Sequence, residues 1–170
     1  MSDYRRVRVK GGCYFFTTVT AARRPILIDN ISKLRNAFRH VRINHAFTID
    51  AIVILPDHMH CIWTLPDGDD DFSMRWRLIK SAFSRHLPVI PYKGKRQREK
   101  GIWQRRFWEH LIRNDGDFQK HVDYIHYNPV KHGYVEHVAD WPYSSFHRFV
   151  RQGVYTVDWS EPGDKNMDCE

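Results

Sequence analysis

An α+β fold is predicted for this chain, with helices packed on an antiparallel sheet in the ferredoxin-like order. Two observations predict it. Strand-like and helix-like segments follow one another as β-α-β-β-α-β-α, and the first six match the ferredoxin-like plan. The second and third strands are joined by Pro56-Asp57 alone, a connection short enough only for an antiparallel pair. At 170 residues the chain suits one compact domain, with little room for a second core.

Each element has its own signal. Residues 13–20 (CYFFTTVT) combine aromatic and β-branched side chains and read as a strand. A helix over residues 27–44 follows Pro25, with Ile31, Leu34 and Phe38 at helical spacing. Residues 48–56 form an almost continuous apolar run, which predicts a central strand, and residues 58–65 (HMHCIWTL) return beside it. The acidic stretch 66–71 breaks the sheet and suits the start of a helix over 72–87. A loop rich in proline, glycine and lysine covers 88–101, and a further strand covers 102–112. The last helix covers 115–128 and is expected to end at Pro129, because the residue before a proline is pushed out of helical geometry. At about 100° per residue, Phe118, Val122 and Ile125 make an apolar stripe on that helix. Asp117, His121, Tyr124 and Asn128 make a polar stripe beside it, and Tyr127 is expected to face outward.

Composition narrows the function classes. No apolar run is long enough for a membrane span, and the charged N-terminus lacks the apolar stretch of a signal peptide. Cys13, Cys61 and Cys169 have no CxxC spacing, so neither a disulfide framework nor a cysteine-built zinc site is expected, and a reducing cytoplasm is the natural compartment. The net charge of +7 favours an anionic partner. Between positions 93 and 113, Lys93, Lys95, Arg96, Arg98, Lys100, Arg105, Arg106 and Arg113 oppose only Glu99 and Glu109, with Tyr92, Trp103, Phe107 and Trp108 interleaved. Cations for phosphates mixed with rings for bases suit single-stranded or hairpin nucleic acid. One domain over residues 1–150 is expected, followed by an acidic tail over 151–170 of mobile composition.

His58 and His60 are separated by one hydrophobic residue. On a strand both imidazoles point to one face and can hold a divalent metal. Such a metal polarises a phosphodiester while a nearby tyrosine hydroxyl attacks it. Tyr124 is the better nucleophile candidate than Tyr127, since it shares the polar stripe with Asn128 one turn further on.

At these residues the chain resembles a known family. LPDHMHCIWTLP, WQRRFWEHLIR and DYIHYNPVKHGYV together resemble the REP-associated tyrosine transposases, single-tyrosine relatives of the insertion-sequence transposases within the HUH endonuclease superfamily. The resemblance runs from about Cys13 to Phe149. It implies a ferredoxin-like catalytic and DNA-binding domain with the HUH motif on a central strand. It implies His58 and His60 as metal ligands and Tyr124 as the nucleophile. Asn128 becomes a third ligand or a polar positioning group, where insertion-sequence relatives usually carry glutamine. The implied substrate is single-stranded DNA folded into imperfect palindromic hairpins. Arg5, Arg6, Arg8 and Lys10 would grip it together with Lys93, Lys95, Arg96, Arg98, Arg105 and Arg106. Mg²⁺ or Mn²⁺ is the expected ion, since phosphoryl chemistry favours a hard, exchangeable cation over Zn²⁺. The implied reaction is transesterification, leaving a 5′-phosphotyrosine and a free 3′-OH. Both a monomer acting in cis and a homodimer fit the family.

Blander readings run beside these. An isolated HxH is more often a pair of satisfied histidines, and Tyr124 alone could be a packing residue. Asp57 serves equally as a turn residue or as an acceptor behind a ligand histidine. Two rival functions remain: a hairpin-DNA-binding protein without chemistry, and a metal-dependent hydrolase of a small substrate. The second leaves the basic aromatic stretch unexplained.

Overall fold

The computed structural model describes residues 6–91 and 100–160. Strands β1 (Cys13–Val19), β2 (Thr48–Ile54), β3 (His58–Thr64) and β4 (Trp108–Leu111) form one sheet in the order β2-β3-β1-β4. Every neighbouring pair is antiparallel. Helices α1 (Ile31–Asn44) and α2 (Phe72–Ser84) pack on one face and α3 (Asp115–Lys131) on the other. The short α4 (Phe146–Arg151) sets Phe146 and Phe149 against His126 of α3. This is the ferredoxin-like plan the sequence predicts.

Strand alternation assigns the two faces. Tyr14 and Phe16 of β1 and Met59, Cys61 and Trp63 of β3 join the core beneath α1 and α2, where Trp63 stacks on Trp76 at 4.3 Å. Phe15 and Ile62 join the core beneath α3. His58 and His60, in step with Ile62, therefore face α3.

Four elements depart from expectation. Strand β2 lies at the edge of the sheet rather than in its centre. Its apolar run has another cause, because residues 141–145 close its outer edge. Ile54 N–H donates to Tyr143 O at 2.9 Å, Ser145 N–H to Ile52 O at 2.8 Å, and Trp141 Nε1–H to Ile54 O at 3.0 Å. The end of β2 is thus buried like an interior strand. Helix α1 starts at Ile31, not at residue 27, because Leu27 spends its N–H on Pro56 O at 2.9 Å and is anchored to the β2–β3 turn.

The expected strand over 102–112 is broken. Thr17 pairs with Trp108 and Thr20 bridges Trp103. Three steps on β1 thus face five on the other chain segment, so residues 104–107 bulge out by two extra positions. Arg105 and Arg106 are exposed on this bulge.

Pro129 does not end α3. The helix runs on to Lys131, and His132 N–H donates to Asn128 O at 3.0 Å across the proline. The true stop is Gly133, at φ +71°. Gly133 N–H donates to Val130 O and Tyr134 N–H to Pro129 O, both at 2.9 Å, the paired bonds of a Schellman ending. Past residue 150, Tyr155 and Trp159 still pack on Phe146, at 5.6 and 6.1 Å between ring centroids. The acidic residues 161–170 lie outside the described residues. No described helix is long and apolar enough to cross a membrane.

Candidate active site

His58 and His60 are buried on β3 with ring centroids 5.0 Å apart. Each is oriented through Nδ1. Asp57, in the turn before the strand, places Oδ1 2.6 Å from His58 Nδ1. A carboxylate there accepts the Nδ1 proton and leaves the Nε2 lone pair for a ligand. His60 Nδ1 shares a 2.8 Å hydrogen bond with Thr17 Oγ1, the residue directly opposite on β1. Burial first, then the charges of His58, His132, Lys131 and Arg23, hold the His60 pKa well below its ordinary value. It is therefore neutral near pH 7, which is the form that binds metals.

Helix α3 crosses above them. The Tyr124 ring lies 5.2 Å from that of His60, and Lys131 Nζ lies 5.0 Å from the centre of the tyrosine ring. Asn128, one turn on, is fully buried. The structure thus brings His58, His60, Tyr124 and Asn128 to one side of the sheet, within a single chain. Tyr127 is not turned fully outward. It is half-buried and packs on the core beneath α3, whose stripe is wider than Phe118, Val122 and Ile125 alone.

His132 was not singled out from the sequence. It caps α3, with its ring 5.0 Å from that of His58. The signal was present, since Tyr124, Asn128 and His132 recur every four residues on one helix side. An expected end at Pro129 hides it.

Does the donor set suit a metal? His60 Nε2 and the amide oxygen of Asn128 are buried without hydrogen-bond partners in the described structure. Leaving such atoms unsatisfied costs about 1–3 kcal/mol each, a cost that coordination of a cation by these lone pairs would remove. Imidazole nitrogen with amide oxygen also accommodates ions that keep phosphate oxygens in their shell. The residues fit.

The chain as a whole is similar to known transposases. The family described as "Transposase IS200 like" matches residues 9–128. A REP-associated tyrosine transposase of Escherichia coli (strain K12) is 52% identical over 161 residues, covering 94% of this chain and 92% of that protein. The chain belongs to the IS200-like transposase family, among the REP-associated tyrosine transposases. A solved structure of such a transposase, bound to a REP hairpin, superposes with a TM-score of 0.86 at 49% identity. It covers 97% of this chain and 94% of the other.

Two further features surround this transposase's histidine pair. His110, Asp117 and His121 form a second group able to hold a metal ion, their donor atoms all within 4.8 Å of one another. Here they bond to each other: His110 Nε2 lies 2.9 Å from Asp117 Oδ2, and His121 Nδ1 lies 3.1 Å from Oδ1 and 2.8 Å from Asp117 O. Burial pushes the Asp117 carboxyl up, but the bonds from His110 and the Arg113 N–H outweigh it and hold the group below its usual range. Phe15 separates this cluster from the first, its ring 4.8 Å from His121 and 5.6 Å from His60.

The other feature is basic. Arg6, Arg77, Lys80, Arg85, Lys100 and Arg105 line a cavity of about 820 Å³ floored by Trp76, Trp103 and Phe107. Lys80 is held down at about 8, by burial and then by the charge of Arg6. Of the basic residues expected to grip DNA, Arg6 and Arg105 meet here, and Arg106 and Lys10 are exposed. Both described N-terminal arginines are engaged within the fold: Arg8 lies 3.7 Å from Asp70 and 3.6 Å from Asp71, and Arg6 lies 3.5 Å from Glu109. Arg5, Lys93, Lys95, Arg96 and Arg98 lie outside the described residues. The cations Arg77 and Lys80 of α2 and Arg85 at its C-cap were missed, because apolar periodicity marks that helix as core while its polar side faces the bulge.

Proposed function

We propose that this chain is a metal-dependent single-strand DNA transesterase that recognises palindromic hairpin DNA. It cuts and rejoins one strand through a 5′-phosphotyrosine. The observation that carries the reading is the Tyr124 ring 5.2 Å from His60 in the same chain. The relative whose solved structure holds a REP hairpin supports the substrate class.

His58, His60 and Asn128 would hold Mg²⁺ or Mn²⁺, which when bound draws charge from the phosphodiester oxygens. Asp57 and Thr17 keep the two imidazoles aimed. Tyr124 Oη attacks phosphorus, the P–O3′ bond breaks, and the phenolic proton balances the departing 3′ oxygen. Lys131 supplies positive charge where negative charge gathers in the transition state. Attack by a 3′-OH on the phosphotyrosine runs the step backward and joins strands. One phosphodiester is exchanged for another phosphoester, so no external energy source is needed.

Nucleophile and ligands within one chain support action in cis by a monomer. The cavity shared by Arg6 and Arg105 suits the hairpin backbone. Cys13 and Cys61 are free thiols, which suits a reducing cytoplasm. The test is labelled hairpin DNA incubated with protein and Mn²⁺, then run on a denaturing gel. The expected result is a labelled band at the mass of protein plus DNA fragment, absent for Tyr124→Phe. Binding with no such band for the parent protein would leave only a hairpin-binding protein.

A further inference from the structure

Trp108 is 43% exposed on the short edge strand β4. Its place in the sheet is informative. Trp108 pairs with Thr17, and Thr17 pairs with His60. The three stand in one row across the sheet, on the face covered by α3, with Trp108 and His60 about 10 Å apart at two strand spacings. One side of the indole is fixed from within. It lies parallel to His110 (5°, 6.0 Å) and edge-on to Phe15 (73°, 5.7 Å), and Phe15 in turn touches Tyr124 at 6.0 Å. The preceding residue, Phe107, alternates to the opposite side and floors the basic cavity, with the Arg6 guanidinium 4.0 Å from its ring. A strand running from that cavity to the histidines around the β4 edge passes Trp108.

We propose that Trp108 is a stacking platform for a nucleobase flanking the scissile phosphate, a substrate-positioning residue. The inference rests on the transesterase reading above. Every base offers a π-face, so an indole held rigid on one side and open on the other binds a splayed base without reading its identity. Core packing does not account for a ring this exposed, and a four-residue strand is too short to be a pairing edge for another sheet.

The test measures cleavage of hairpin DNA by the parent, Trp108→Ala and Trp108→Phe, with one abasic site placed at each flanking position in turn. Trp108→Ala should lower kcat/KM about 5- to 100-fold, and Trp108→Phe should restore most of it. One abasic position should cost the parent a similar factor and cost Trp108→Ala almost nothing, a coupling that a merely structural role would not produce. Strictly additive losses at every position would overturn the proposal. So would a Trp108→Ala protein that cleaves like the parent. If the parent cleaves no hairpin DNA at all, the transesterase reading fails and this inference falls with it.

Discussion

Tyr124 lies against His60 of its own chain, ring centroids 5.2 Å apart with the planes at 71°. A helix and the strand beneath it supply the two residues, so one copy holds both the proposed nucleophile and a proposed metal ligand. Mixing Tyr124→Phe protein with His60→Ala protein should therefore restore no cleavage. Recovery of activity in the mixture, followed as product on a gel, would mean that the tyrosine helix is exchanged between copies.

The hydrogen-bond partners behind the histidines, Asp57 and Thr17, set their aim. Asp57→Asn keeps the shape of the turn but weakens the bond to His58 Nδ1, now 2.6 Å. Mn²⁺ affinity in calorimetric titration should fall about 10- to 100-fold, with His60→Ala losing binding altogether. Unchanged Mn²⁺ binding in His58→Ala/His60→Ala would put the ion elsewhere, and the His110, Asp117 and His121 group is the first place to look.

Phosphate contacts release counterions. Arg77→Gln with Arg105→Gln removes two cations from the basic cavity. The slope of log affinity against log salt for hairpin DNA should flatten by roughly 0.7–0.9 for each cation removed. A slope equal to that of the parent would show that the cavity never meets the backbone.

His126 offers a test of stability. Its Nε2 shares a 2.8 Å hydrogen bond with Ser145 Oγ, which pins the segment closing the β2 edge to α3. Burial, then the charges of Arg148 and His147, hold its pKa down at about 3. The unfolded chain takes up this proton near pH 6.5 and the folded chain does not. The stabilisation is complete above pH 6.5 and is lost as pH falls toward 3. Between pH 6.5 and 5 the parent should lose about 2 kcal/mol more than His126→Gln in urea unfolding. Equal losses would mean that His126 titrates normally in the fold.

Much of the fold and the histidine pair was legible because both rest on local periodicity. Alternation on β3 aims His58 and His60 together, and the two-residue turn at Pro56-Asp57 forces the antiparallel return. What escaped depends on distant contacts. The β2 run reads as central because burial looks the same whether a strand or residues 141–145 supply the cover. Pro129 reads as a stop because its local cost is visible and the Schellman bonds at Gly133 that set the real end are not. That one misplaced boundary also concealed His132. The group of His110, Asp117 and His121 needs β4 to lie beside the start of α3, and no spacing in the chain announces it.

The proposed reaction leaves the DNA on Tyr124. Protein reacted with hairpin DNA and Mn²⁺, trimmed with nuclease and protease, should yield by tandem mass spectrometry a peptide with nucleotide phosphate on Tyr124. Tyr127, three residues on in the same peptide, should be unmodified, and Tyr127→Phe should still form the adduct. Phosphate on Tyr127, or an adduct that survives Tyr124→Phe, would place the nucleophile elsewhere.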